Sequence, residues 1–401
     1  MVRCDIFCTV IDHFGDIGVS WRLARQLSDE YGWRVRLWAD DLTTFARLCA
    51  EIDARAPQQQ IGNVIVEHWR TDIDWSRRRI EAADVVIETF ACHPPLAYIA
   101  ALARRAQCAP PRRAPVWINL EYLNNEDWVI GCHLKPSPHP RYPLTKYFFC
   151  PSLIAGAGGA LKERGLDETR RAFLANAHAR TALWTALGLP IPTSDATVVS
   201  LFSYENAALK PLLAAWRAAA APVVCIVPEG IGSNAVARCL RLPSPAAGSI
   251  AAFENLTLCI APFVHHEIYD RLLWNCDLNF VRGEDSFVRA QWAHRPLVWQ
   301  LYPQNSDAHF AKLDATLATY AADLPTAARV ALTHFWRVWN GAVPASALDW
   351  NGFWQHRGIY AVHARRWAHQ LNVLGSLAAH LVEFCESVHC GYGPAARNTL
   401  S

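Results

Sequence analysis

Nowhere do the 401 residues hold an apolar run of the ~20 that a membrane helix needs; the longest, Ala218 to Val227, is interrupted by Pro222. No membrane span is expected. An excess of charge of one sign is missing too. Lys and Arg number 38 against 36 Asp and Glu, a formal net charge of +2, too balanced for the basic face that phosphate-backbone binding demands, so nucleic acid is not an expected partner. The 13 Cys are odd in number and lack any C-x-x-C spacing, and Cys8, Cys225 and Cys259 sit inside apolar runs. They read as reduced core thiols of a cytoplasmic protein rather than a disulfide framework. Charged residues make up only 18% against 52% apolar, and the 24 Pro are scattered, which excludes extended disorder and a linker-rich architecture. The opening MVRCDIFCTVI carries acidic Asp5 and no small-residue cleavage site, so a first strand is expected there, not a signal sequence.

What is present is an alternation. The β-rich runs CDIFCTVI (4–11), VRLWAD (35–40), NVIVEHW (63–69), DVVIET (84–89) and PVWINLEYL (115–123) are separated by amphipathic stretches such as SWRLARQLSDEYG. That rhythm predicts βαβ units and a parallel sheet. It breaks near 150 into a Gly-rich stretch, with a helix expected over 168–187. A second series follows with TVVSLFS (197–203), PVVCIVPEG (222–230), LTLCIAPF (256–263), LNFVRG (278–283) and PLVWQLYPQ (296–304). Beyond 307 the pattern is helical to roughly 385. At ~100–200 residues per domain this gives an α/β protein of two Rossmann-like domains facing a central cleft. The first spans 1–150 and is completed by a C-terminal helix within 359–387; the second spans 151–358. In open α/β sheets ligands bind at the carboxyl ends of the strands, so the chemistry is sought in the loops that follow them.

After the first strand comes Asp12-His13-Phe14-Gly15-Asp16-Ile17-Gly18. Gly15 and Gly18 permit a tight turn into a helix, but G-x-G-x-x-G is absent and two carboxylates repel a pyrophosphate. They fit a cationic or proton-donating acceptor better; the alternative is that Asp16 merely caps the helix. The second informative stretch is Arg282-Gly283-Glu284-Asp285-Ser286, between a strand and a helix N-terminus. Backbone N–H groups there attract phosphate and Arg282 adds a charge with bidentate geometry; the alternative is again helix capping. Phe202, Tyr204, Phe263, Tyr269 and Tyr302 fall at or just beyond strand ends of the second half, where rings can sandwich a planar base or simply pack in the core.

His265, His266 and Glu267, or Cys385 with His389 and Cys390, lack a recognised zinc spacing and a complete ligand set; both are read as structural, and no metal is expected. Walker A and GxSxG motifs are absent.

DHFGDIGVSWRLARQL and DRLLWNCDLNFVRGEDSFVRAQWAHRPLVWQLYPQ together resemble the bacterial protein-arginine rhamnosyltransferase family, EarP, which modifies translation elongation factor P. The resemblance runs roughly over residues 4 to 385. It implies a GT-B glycosyltransferase fold with an acceptor-binding first domain and a donor-binding second one. The implied donor is dTDP-β-L-rhamnose, transferred with inversion to an arginine guanidinium nitrogen, without a cofactor. By motif, Asp16 would be the general base and Asp12 its partner in holding the guanidinium. Phe202, Phe263 and Tyr269 would surround the thymine. Tyr204, Arg282, Glu284, Asp285, Ser286 and Tyr302 would contact deoxyribose, pyrophosphate or rhamnose, with Phe14, Gly15, His266 and Gly283 also lining the donor. The family usually carries Gln in place of His266 and Phe in place of Tyr269. Rival readings are a GT-B transferase acting on a lipid or polysaccharide hydroxyl, and a non-catalytic factor-P-binding module.

Overall fold

A computed structural model describes residues 1–390 except 13, 71–80, 109–113, 244 and 304–307. Its chain divides into two compact units, residues 1–164 with 371–401 and residues 165–370.

In the first unit β1 (Arg3–Cys8), β2 (Arg34–Ala39), β3 (Gln58–Ile61), β4 (Val64–His68), β5 (Val85–Thr89), β6 (Val116–Leu120), β7 (Pro136–Pro138) and β8 (Thr145–Phe149) form one sheet of order β3-β4-β2-β1-β5-β6-β8-β7. From β4 to β8 every pairing is parallel. Strands β5 and β6 are buried throughout, as expected of parallel strands covered on both faces, which read as continuous apolar runs. The chain order reverses between β1 and β5, the topological switch point where doubly wound sheets bind ligands.

The second unit repeats the plan with β9 (Thr197–Leu201), β10 (Val223–Pro228), β11 (Ile250–Phe253), β12 (Leu256–Ala261), β13 (Leu278–Arg282) and β14 (Leu297–Gln300), in the order β11-β12-β10-β9-β13-β14. Its switch point lies between β9 and β13. Helices from Ala308 to Leu374 follow, cored by Trp336, Trp339, Phe335 and Tyr320. No helix among the described residues is long and apolar enough to cross a membrane.

The expected strands are present, each within the predicted run or one residue beyond it, while β3, β7, β8 and β11 were not anticipated. All four take part in an antiparallel pair, and QQQI and PSP carry no apolar alternation. The helix expected over 168–187 is two, Leu166–Ala175 and Ala177–Ala186, because Asn176 ends the first and its side chain accepts from Ala179 N at the start of the second. The segment 151–164, assigned from sequence to the second domain, belongs to the first unit: Ser152 Oγ donates to Asn125 Oδ1 and Gln26 Nε2 donates to Lys162 O. The last helix, Leu377–His389, packs Phe384 against Tyr147 and Phe149 of β8.

Candidate active site

At the first switch point the chain leaves β1 and enters the helix Phe14–Tyr31. Asp16 is 1% exposed, and its carboxylate reaches back to the backbone before the helix. Its Oδ2 accepts from Ile11 N and Asp12 N, each at 2.8 Å, and Tyr122 Oη donates to its Oδ1 at 3.1 Å. A first-turn carboxylate reaching back to the preceding backbone secures the loop as well as the helix start. The Asp12 carbonyl accepts from Gly15 N at 2.7 Å. A Cβ on Gly15 would stand 2.8 Å from Asp12 Oδ2, so glycine is needed for space. Gly15 and Gly18 both lie inside the helix and neither has positive φ, while the Gly15 N–H closes the turn that leads from Asp12 into it. Phe14 opens the helix with the Arg47 guanidinium 5.4 Å from its ring centroid.

Sequence reasoning missed the groups across the switch point. Tyr122 follows β6 and stacks on Phe90, with centroids 4.1 Å apart and 10° between planes. Phe90, Ala91 and His93 all have positive φ, unusual for side chains with Cβ, and Ala91 N donates to Asn119 Oδ1. Asn119 Nδ2 also bonds Glu121, a third carboxyl on this edge, held above the usual carboxylate range by burial. Beneath them Glu88, fully buried on β5, pairs with Lys146 Nζ at 2.6 Å. The Cys8 thiol is pushed up to about 12 by burial, so it is an inert core group. Tyr122 carried a faint signal in the sequence, a polar aromatic directly after a buried strand.

At the second switch point Gly283, with φ 59°, turns the chain from β13 into the helix Asp285–Trp292. Glu284 stands at the N-cap but makes no capping bond through its side chain; it pairs with Lys312 Nζ at 3.0 Å. Ser286 Oγ donates to Arg282 O and accepts from Arg282 N, fastening the turn to the strand end. The Arg282 guanidinium lies 4.3 Å from the Phe202 ring centroid and 4.4 Å from that of Tyr204, within cation–π range, and Nη1 donates to Ser203 O at 3.4 Å. Tyr204 meets Tyr302 edge to face at 5.5 Å, and Phe202 meets Tyr269 at 5.8 Å. His266 Nε2 is 3.7 Å from Asp285 Oδ2. Phe263 occupies the loop after β12 on this carboxyl edge, its N–H donating to Glu229 Oε1.

Phe202 and Tyr204 thus lie about the Arg282 guanidinium with Tyr269 and Tyr302 against them, and sequence reasoning missed Lys312 beside Glu284 and the buried Asp270–Arg289 pair, 2.7 Å apart. Asp270 follows Tyr269, and Arg289 lies on the helix of Ser286, so that pair ties together the two helices carrying the site. Among the described residues no group of three His, Cys, Asp or Glu is arranged to hold a metal.

Two doubly wound units in tandem, each with a polar loop at its switch point, define the GT-B class of glycosyltransferase. Residues 4–386 match the family model of the Elongation-Factor P (EF-P) rhamnosyltransferase EarP, and the chain belongs to that family. It is an enzyme of that kind, a protein-arginine rhamnosyltransferase. The protein-arginine rhamnosyltransferase of Pseudomonas aeruginosa is 44% identical over 384 residues, covering 96% of this chain and 99% of its own. That of Shewanella oneidensis is 38% identical over 392 residues, covering 95% and 96%. A solved structure concerned with EarP-mediated arginine glycosylation of translation elongation factor EF-P is 31% identical, covers 100% of both chains and superposes with a TM-score of 0.66.

Proposed function

We propose that this enzyme moves L-rhamnose from dTDP-β-L-rhamnose to a guanidinium nitrogen of an arginine in elongation factor P, with inversion at the anomeric carbon, in the cytoplasm and without a metal ion. The observation that carries the reading is the Asp16 carboxylate, held by two backbone N–H groups and a tyrosine hydroxyl beside Asp12. A guanidinium has a pKa above ~12 and delocalised lone pairs, so one carboxylate cannot keep it deprotonated. Two carboxylates can grip the planar fork, align one nitrogen with the anomeric carbon and accept its proton as the bond forms. In that step the nitrogen–C1 bond forms, the C1–oxygen bond to dTDP breaks, the proton passes to Asp16 and the bonding pair leaves on the diphosphate. Arg282, Lys312 and the amides opening the helix Asp285–Trp292 are the positive groups available to that leaving group.

The test is to incubate the purified chain with dTDP-rhamnose and elongation factor P and weigh the factor by mass spectrometry. One added deoxyhexose on an arginine, absent from a factor with Lys at that position, is expected, since an ammonium lacks the planar fork. An unmodified factor under saturating donor refutes the reading. NMR of the product should show the α-anomer.

A further inference from the structure

The Tyr122 hydroxyl holds Oδ1 of Asp16, and the Tyr122 ring is held in turn by Phe90, which lies flat against it. Phe90 opens the loop after β5 in a left-handed conformation, φ 57°, that Ala91 and His93 share at 54° and 51°. Side chains with a Cβ rarely adopt that conformation and keep it only where the surroundings impose it. Here the loop amides are fastened one by one: Phe90 N donates to Leu120 O at 2.7 Å, Cys92 N to Thr89 O at 3.2 Å and Ala91 N to Asn119 Oδ1 at 3.0 Å. The first two acceptors are main chain, present whatever the sequence. Only the third is supplied by a side chain. Asn119 is 1% exposed on β6, and both ends of its amide are used. Nδ2 donates to Glu121, which leaves Oδ1 to face Ala91, since an amide offers donors at one end and an acceptor at the other. Its bonds reach Ala91 and Glu121 and stop short of Asp16.

We infer that Asn119 is a positioning residue for the Asp16 carboxylate: it holds the Phe90–Ala91 turn left-handed, the turn lays Phe90 on Tyr122, and Tyr122 sets the Asp16 oxygen. The inference rests on the proposed function in taking Asp16 as the proton acceptor. A tyrosine ring swings about its Cα–Cβ bond, and a ring flat on one face limits that swing. Because this chain of contacts ends in one hydrogen bond to a charged group, the largest effect Asn119 has through it is the loss of that bond, about tenfold in kcat.

The experiment is a double-mutant cycle in kcat over Asn119→Ala and Tyr122→Phe, with dTDP affinity measured by calorimetry. Asn119→Ala should lower kcat by up to about tenfold and leave dTDP affinity unchanged. In the Tyr122→Phe background it should cost nothing more, since the bond through which it acts is already gone. Ala91→Gly added to Asn119→Ala should restore most of the lost kcat, because glycine takes the left-handed form without help. An asparagine that serves only the stability of β6 would multiply its loss with that of Tyr122→Phe and would not be rescued by glycine. Either result overturns the inference, as does wild-type kcat in Asn119→Ala. Should Asn119→Ala fail to fold, Phe90→Leu takes its place in the cycle, because Phe90 is half-buried in the loop and this change removes the stack but no hydrogen bond. Losses that multiply with Tyr122→Phe again overturn the inference. Near wild-type turnover in Asp16→Asn refutes the proton acceptor itself, whereas an inactive Asp16→Asn with a multiplicative cycle refutes only the role of Asn119.

Discussion

The Asp16 carboxylate is fixed from two sides before any acceptor arrives: Oδ2 by the Ile11 and Asp12 amides, Oδ1 by Tyr122. Asp16→Asn can still offer a carbonyl oxygen to those amides but cannot take a proton. It should bind dTDP normally and lose at least ~100-fold in kcat, the low end of a general-base contribution; near wild-type turnover at saturating substrates would remove Asp16 from the mechanism. Asp12→Asn should raise the KM for the factor. Tyr122→Phe keeps the stack on Phe90 and deletes only the hydroxyl, so a drop of about tenfold in kcat is expected from losing one bond to a charged group, with dTDP affinity unchanged. Gly15→Ala brings a methyl against the Asp12 carboxylate. Its effect should fall on the KM for the factor, as in Asp12→Asn.

At the scale of elements, the turn between β13 and the helix Asp285–Trp292 distinguishes ligand binding from capping. A capping Glu284 would stabilise the helix by about 1 kcal/mol, yet its side chain makes no cap bond. Glu284→Ala and Arg282→Ala should therefore weaken dTDP binding with little change in circular dichroism, and Lys312→Met should do the same if its charge serves the diphosphate. Unchanged affinity in all three would return the turn to a structural role. A second element carries a pH dependence. His363, 2% exposed against Tyr320 and Trp367, has its pKa lowered by burial. The unfolded chain thus binds a proton near pH ~6.5 that the folded one refuses, so stability falls as pH drops through that value. His363→Phe should flatten the melting temperature between pH 7.5 and 5.5 relative to wild type. Legibility follows the same elements. The long parallel strands announce themselves because VVIET and VWINL are apolar on both faces; QQQI and PSP do not, since their partners and not their composition make them strands. Asp12, Asp16 and the GEDS turn were readable as polar residues directly after such runs. Lys312 was not and Tyr122 only faintly so, because each joins its carboxylate through tertiary folding.

On the scale of the whole molecule, the chain passes from one unit to the other at 164–165 and returns at 370–371, so each unit builds its own sheet and core. The groups proposed for the donor all lie in 165–370 except Phe14 and Gly15, and those proposed for the acceptor lie in the first unit. A ligand stabilises the structure that binds it by RT ln(1 + [L]/Kd), about 2.7 kcal/mol at a hundredfold excess over Kd. With dTDP at that excess, hydrogen exchange should slow by that amount in β9, β10 and β13, while the slowest amides of β1, β5 and β6 keep their rates. EDTA should leave both the protection and the turnover unaltered, because in the proposed reaction the leaving group is met by Arg282, Lys312 and helix amides. Equal slowing in both sheets would mean that the two units unfold as one cooperative block. Loss of turnover in EDTA, restored by magnesium, would transfer the neutralising charge from those side chains to a metal ion and overturn the account of the leaving group.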